Sequence, residues 1–366
     1  MVTLSACLIV KNEKEVIGRC LDSLYDAVDE IVIYDTGSND GTQDICKSYD
    51  KVKLIQGYWD MNFARARNES FKNATGDYLM WADADDVLED FTVNWIKKAK
   101  ESDFYGYDNI MMNYVYTIDS NGNPLTYSFR ERIVKATNNP KWVGEIHEVI
   151  VSDGNKFYVP IEEARFLHRP HAKPNPKRNF EIFQNMEKKN HGNLSTRDWY
   201  YYARETETHD TIENAIRRYN KALERDDMWN IDRLNAYIAL SKIYEKTNKR
   251  KAYEYAIMAA PLTSKPRADV CCRIGDLYLS DKNYAMAKMW YDLALNNEPS
   301  RIENTFFDRQ YATTYPIIQL CVAEYWLGNI DKAIEYNEQY GKMKPNSPSY
   351  LYNKKFFSNI EKKDGD

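Results

Sequence analysis

Between Ala268 and Pro299 the chain sets Ile274, Gly275, Tyr278, Ala287, Tyr291, Ala294 and Pro299 in an alternation of small and aromatic residues that returns at a period of about 34 residues. That period is the length of one helix pair. Ala and Gly let two helices approach, Tyr fills the groove between them, and each pair leaves a face that only the next pair can cover. A unit from Leu234 supplies Tyr237, Leu240, Ser241, Tyr244 and Ala260, with Tyr253 where a small residue is expected. Another from Thr196 supplies Trp199, Tyr202, Ala203, Ala215, Tyr219 and Ala222, and a fourth from Thr314 supplies Leu320, Ala333 and Pro345. Arg301 to Gln310 are extra and read as a long loop between units. About four helix pairs are therefore expected over residues 191–366. Of the 29 tyrosines, 18 lie after residue 190, so the aromatic surplus marks helix packing more than a ligand-stacking surface.

Residues 1–190 obey a different rule. Thr3–Val10, Glu30–Tyr34, Val52–Gln56 and Asp77–Ala82 read as buried strands, alternating with helical patterns over Glu13–Val28, Asp40–Tyr49 and Phe63–Ala74. This order implies an α/β fold with a mostly parallel sheet and a ligand site at the carboxyl ends of its strands. Shorter strands follow at Asn109–Ile118, Tyr127–Lys135, Val143–Val151, Lys156–Val159 and Ala164–His168, broken by the turns Asn121-Gly122-Asn123-Pro124 and Asp153-Gly154-Asn155. Pro170, Pro174 and Pro176 then crowd a loop that also carries Arg165, Arg169, Lys173, Lys177 and Arg178. The expected division is 1–190 and 191–366.

Composition narrows the function classes. A formal net charge of −5 removes the global attraction behind nonspecific nucleic-acid binding, so nucleic acid is the less favoured partner. The apolar run Leu4–Val10 stops at Lys11 and Asn12, too short for a signal segment or a transmembrane span. The six cysteines lack C-x-x-C spacing and read as core residues of a reducing compartment, which gives a cytoplasmic expectation.

Asp83-Ala84-Asp85 is the strongest chemical signal. It follows the strand Tyr78-Leu79-Met80-Trp81, so its carboxylates lie at the strand's carboxyl lip, where hard oxygen ligands hold Mg²⁺ or Mn²⁺ against a diphosphate. The plainer alternative is a solvated acidic turn or helix cap extended by Asp86.

Three further segments stand in order around it: Leu8-Ile9-Val10-Lys11-Asn12-Glu13, Ile31 through Thr42 with Asp35-Thr36-Gly37-Ser38, and Phe63-Ala64-Arg65-Ala66-Arg67-Asn68. With Gly76 through Asp86 they resemble the motifs of inverting family 2 nucleotide-sugar glycosyltransferases of GT-A fold, over about residues 3–180. With tetratricopeptide-like helices behind them, the whole is similar to the subgroup that includes bacteriocin S-glycosyltransferases.

That resemblance assigns roles. It implies that Asp35 pairs with the nucleotide base, usually uracil; the alternative is an Asx-turn with Gly37 and Ser38. Val10, Asn12 and Glu13 would line the nucleoside pocket, although Asn12 alternatively caps the first helix. Arg67 would reach the base or diphosphate, with Asn68 a second candidate and Arg65 a solvated charge on another face. Asp83 and Asp85, with Ala84 between them, and His168 would bind donor and metal; otherwise His168 is a surface imidazole beside Pro170, and His171 is less well placed. In Trp142-Val143-Gly144-Glu145-Ile146-His147-Glu148, strand alternation puts Glu145 and His147 on one face and Glu148 on the other. The catalytic candidates are His147, Glu148 and Asp86, the first two as the base that deprotonates the acceptor or as groups that orient it. Trp81 and Trp142 are candidates for stacking on sugar, with Trp81 better read as core. The loop 165–178 reads as a cationic lid over the diphosphate or as a polar linker.

The implied reaction moves a hexose from a UDP-sugar, UDP-glucose ahead of UDP-N-acetylglucosamine, by direct displacement through an oxocarbenium-like transition state. A protein or peptide side chain is the leading acceptor; a glycan or a modified nucleic-acid base is the alternative. The repeats either hold that acceptor or build a homodimer. A nucleotidyltransferase is disfavoured because the first strand runs into Lys11-Asn12-Glu13 where a Gly-rich loop would stand. A noncatalytic repeat scaffold is disfavoured by intact Asp35, Asp83 and Asp85.

Overall fold

The computed structural model describes residues 1–119, 122–171, 175–297 and 308–361. Asn121, Lys173, Pro174, Pro299, and most of the extra loop from Arg301 lie outside the described residues. The chain divides into two compact units, Met1–Leu194 and Ser195–Asp366.

In the first unit the elements run β1 Leu4–Val10, α1 Ile17–Tyr25, β2 Glu30–Asp35, α2 Thr42–Lys47, β3 Val52–Gln56, α3 Phe63–Lys72, β4 Tyr78–Ala82, β5 Asp86–Leu88, α4 Asp90–Glu101, β6 Asn109–Ile118, β7 Pro124–Lys135, β8 Lys141–Val143, β9 Val149–Val151, β10 Lys156–Tyr158, β11 Arg165–His168 and α5 Arg178–Lys189. A mixed sheet has the order β3-β2-β1-β4-β7-β6-β11-β5, with β10 beside β6. The strands expected over Thr3–Gln56 pair in parallel, with Val10 opposite Asp35 in register. Strand order reverses at β1, which has β2 on one side and β4 on the other. Such a reversal opens a crevice at the carboxyl ends of the strands.

Burial explains the arrangement. Leu4, Ala6 and Leu8 of β1 point into one core with Ile17, Leu21 and Leu24 of α1, while Cys7 points into a second with Val32, Leu79 and Trp81. Both faces of β1 are covered, which is why its sequence is a continuous apolar run.

Three expectations are corrected. The first helix begins at Ile17, because Glu13–Val16 form turns tied to neighbouring loops. Val143–Val151 is not one strand: β8 and β9 pair antiparallel as a hairpin, with Gly144 at φ 102° and His147 at φ 49° reversing the chain. Glu145 and His147 therefore share no strand face. The alternative of an acidic turn extended by Asp86 stops at Asp85: Asp86 opens the short strand β5, which pairs with β11 through Asp86 opposite His168.

The second unit is helical: α6 Thr196–His209, α7 Ile212–Leu223, α8 Asn230–Tyr244, α9 Lys249–Ala259, α10 Ala268–Ser280, α11 Tyr284–Asn296, α12 Thr314–Trp326, α13 Ile330–Met343 and α14 Pro348–Glu361. Among the described residues these make four pairs and one added helix, and the second pair starts at Asn230, four residues ahead of the expected Leu234. Gly275 earns its place by contact: a Cβ there would lie 2.7 Å from Tyr291 Cε1. All six cysteines are free and buried. No helix of the described residues is long and apolar enough to cross a membrane.

Candidate functional site

The loops after β1 and β2 are bound to each other before any ligand is considered. The Val10 carbonyl accepts hydrogen bonds from Thr36 N at 2.9 Å and Thr36 Oγ1 at 3.0 Å. Asn12, at φ 56°, donates its N–H to Ser38 Oγ and accepts from Asn39 N through Oδ1, both at 2.9 Å. It fastens the two loops and caps no helix, the alternative raised from sequence. Glu13 N donates to Thr42 Oγ1 at 2.8 Å. Asp35 realises its turn role: Oδ1 accepts from Gly37 N at 3.1 Å and Ser38 N at 2.9 Å, and Oδ2 accepts from Gln43 Nε2.

Across the crevice, α3 supplies Arg67. Its side chain is buried, Nε donates to Glu148 Oε1 at 2.6 Å, and Nη2 donates to Asp83 Oδ1 at 2.7 Å. Trp81 and Trp142 flank it, their ring centroids 4.9 and 4.8 Å from its guanidinium carbon. Burial opposes that charge, but Asp83 and Glu148 outweigh it and hold the guanidinium protonated. Asp83 is half-buried, and desolvation opposes its charge, yet Arg67 and Arg132 keep its carboxyl below the usual aspartate range. Both tryptophans are core residues, 7% and 5% exposed, so Trp142 is corrected from a sugar-stacking candidate to a wall of the Arg67 slot. Asn68 is a clamp, exchanging hydrogen bonds of 2.9 Å with the Trp142 backbone N–H and carbonyl. Arg65 is not a solvated charge: it pairs with Asp60 at 2.6 Å and donates to Tyr34 Oη and the Tyr58 carbonyl.

The oxygen and nitrogen donors that converge are those of Asp85, Asp86 and His168, all within 4.8 Å of one another. His168 Nδ1 lies 3.5 Å from Asp85 Oδ1, 3.8 Å from Asp86 Oδ1 and 2.8 Å from Tyr114 Oη. The set named from sequence was Asp83, Asp85 and His168; Asp83 is instead engaged by Arg67, and Asp86 takes its position in the cluster. His168 is half-buried beside the acidic groups rather than a surface imidazole. Burial lowers its affinity for a proton, but the neighbouring carboxylates of Asp85 and Asp86 prevail and raise it to about 9. Glu13 is pushed up to about 7 by burial and then by the negative charges of Asp85 and Asp83. Asp86 is 1% exposed, with Oδ2 bound to Arg132 Nη1 at 3.0 Å and Oδ1 lacking a hydrogen-bond partner. Asp86, a catalytic candidate from sequence, thus stands as a fixed charge in the cluster.

Glu148 and His147 separate. Glu148 faces Arg67, while His147 stacks on Phe183 of α5 with centroids 6.0 Å apart. Of the cationic loop, Arg165 pairs with Glu89 at 2.6 Å and Arg178 lies over the Phe63 ring, so these two are not free lid charges. His171 Nε2 reaches to 3.6 Å from Glu13 Oε2. Sequence reasoning missed Arg132, 0% exposed over the Trp81, Tyr114 and Phe166 rings. An arginine beside Ile133 and Val134 in an otherwise apolar strand end was the available signal.

Comparison with known proteins adds the lineage. Residues 5–152 match the model of glycosyl transferase family 2, and residues 268–301 match a tetratricopeptide repeat. The prophage-derived glycosyltransferase SunS of Bacillus subtilis is 25% identical over 258 residues, 67% of this chain and 60% of that protein. A tetratricopeptide-repeat-containing protein of Synechococcus elongatus is 42% identical over 88 residues, 24% of this chain and 22% of that protein. The poly(ribitol-phosphate) beta-glucosyltransferase of Bacillus spizizenii is 30% identical over 110 residues, 27% and 17% of the two chains. The chain thus spans between about a fifth and three fifths of the curated relatives matched first. Among solved structures, residues 1–349 of TarS from S. aureus align over 94% of this chain and 93% of that one, at TM-score 0.36 and 13% identity. Residues 5–152 are a glycosyl transferase family 2 domain, and tetratricopeptide repeats follow it in the same chain.

Proposed function

We propose that the first unit transfers a hexose from a nucleotide sugar to an acceptor nucleophile, with inversion at the anomeric carbon and a divalent cation, Mn²⁺ or Mg²⁺, as resident metal. The observation that carries this reading is the meeting of Asp85, Asp86 and His168 at the end of β4, beside a strand-order reversal that also brings in Val10 and Asp35. The donor set fits a hard cation: carboxylate oxygens and one imidazole, a buried Asp86 Oδ1 without a hydrogen-bond partner, and a Glu13 carboxyl driven up by neighbouring negative charge. Asp85 and His168 are the proposed ligands, completed by Asp83 or Asp86; bound there, the cation supplies Lewis-acid neutralisation of the departing diphosphate.

The chain's own residues do the rest. Asp35 reads the base, UDP being the favoured nucleotide, while its Oδ1 keeps the turn closed. Val10, Asn12 and Glu13 wall the nucleoside, and Ala84, whose methyl packs into the core, offers the donor only its backbone. Glu148 takes the acceptor's proton, and Arg67 fixes its oxygen while spanning to Asp83, so donor and acceptor sides share one guanidinium. His147, turned toward Phe183, orients the hairpin. A protein or peptide side chain is the proposed acceptor, because grooves of helical repeats suit extended polypeptides.

Asp85→Ala tests the metal assignment. UDP-glucose hydrolysis and transfer in Mn²⁺ are expected to fall at least a hundredfold with the fold intact; near-normal turnover would sink it. Mass spectrometry of host extract incubated with labelled nucleotide sugars identifies sugar and acceptor together.

A further inference from the structure

One cavity of the first unit is lined by two arginines. Arg65, Arg67, Arg132 and Arg165 each pair with a carboxylate. Arg19 and Arg169 have no carboxylate partner among the described residues, and both line a cavity of about 280 Å³ with Tyr116, Thr117, Leu167 and His168. No described residue lining it is acidic. Arg19 Nη2 donates to the Arg169 carbonyl at 2.7 Å, which ties α1 to the chain just after β11 and leaves most of its five N–H donors for another acceptor. Two arginines on one small cavity, with a phenol and a hydroxyl beside them, supply the class of donors that binds phosphate-class oxyanions.

The cavity is also distinct from the nucleotide side. None of Val10, Asn12, Asp35, Arg67 or Asp83 lines it. His168 is the shared wall: Nδ1 is turned to Tyr114 Oη and Asp85, so an anion in the cavity would lie one imidazole ring away from the acidic cluster.

We infer that this cavity is a second phosphate-class anion site, separate from the donor diphosphate, and that it receives an acidic group carried by the acceptor. The acceptor assignment rests on the glycosyl-transfer reading; the anion site does not. Phosphate as a free effector would use the same chemistry.

Calorimetric titration of the full chain with inorganic phosphate, in the presence of saturating UDP and Mg²⁺, tests it. Saturable binding with UDP in place is expected, weakened about tenfold in Arg19→Ala and again in Arg169→Ala, as loss of one charged hydrogen bond implies. UDP affinity of Arg19→Ala is expected to stay at the wild-type value, which doubles as the check on folding. Phosphate that leaves donor hydrolysis unchanged assigns the site to an acceptor-borne group; phosphate that alters hydrolysis supports the anion site but overturns the acceptor assignment in favour of a free effector. No saturable binding, displacement of phosphate by UDP, or unchanged binding in both variants overturns the proposal. Absence of any UDP affinity in the wild type would instead strike the glycosyl-transfer reading and leave the phosphate result standing.

Discussion

At the scale of single residues, Arg67 is the most consequential side chain. It is buried between two tryptophans and neutralised by Asp83 and Glu148, so removing it strands two carboxylates. Arg67→Met is expected to lower unfolding free energy by about 3 kcal/mol in urea titrations at neutral pH. The sign with pH follows from Asp83, whose folded pKa is depressed. Its contribution is complete above the unfolded value of about 3.9 and is lost as pH falls below it, so wild type and variant should converge in acid. Asp35 calls for a subtler substitution, because its carboxylate already closes a turn. Asp35→Asn keeps an oxygen for Gly37 and Ser38 but loses the charge; UDP affinity is expected to drop about tenfold with thermal stability little changed. Equal affinity would return Asp35 to the turn alone.

At the scale of elements, the sequence was most legible where one period ran unbroken. β1, β2 and β3 are continuous apolar or half-apolar runs, and the helix pairs repeat one contact, a small residue under an aromatic one. The hairpin β8–β9 was misread because Trp142 through Val151 contains enough β-formers for one strand, and the reversal depends on left-handed backbone at Gly144 and His147 that alternation does not reveal. β5 was missed because three residues pair only through β11, a neighbour distant in sequence. Two predictions belong here. Gly275→Ala forces a methyl against Tyr291 and should cost about 1–3 kcal/mol in thermal unfolding. Asp232 of α8 is raised to about 6 by burial, which Arg197 and Arg204 only partly oppose. A carboxyl raised on folding costs nothing below its unfolded value and progressively more up to its folded one. Asp232→Asn should therefore raise the melting temperature at pH 7.5, and the gain should vanish near pH 4.

For the whole molecule, two periodicities in one chain give two units, an α/β family 2 domain and a helical array. The candidate site was half legible in sequence. Asp35, Asp83, Asp85 and His168 were named from motifs, and the structure brings Asp85 and His168 together. That Arg67 would hold Asp83 and Glu148, and that Asp86 with Arg132 would stand beside His168, depends on side chains from α3, the β8–β9 hairpin, β5, β7 and β11. No local pattern carries that information. The central claim is that these groups form a metal-dependent nucleotide-sugar site, and the direct measurement is UDP release from a panel of UDP-sugars by the purified chain. The account predicts Mn²⁺- or Mg²⁺-dependent release that chelator abolishes and Asp85→Ala reduces at least a hundredfold. Release unaffected by chelator and by Asp85→Ala, or no release from any nucleotide sugar, would contradict it.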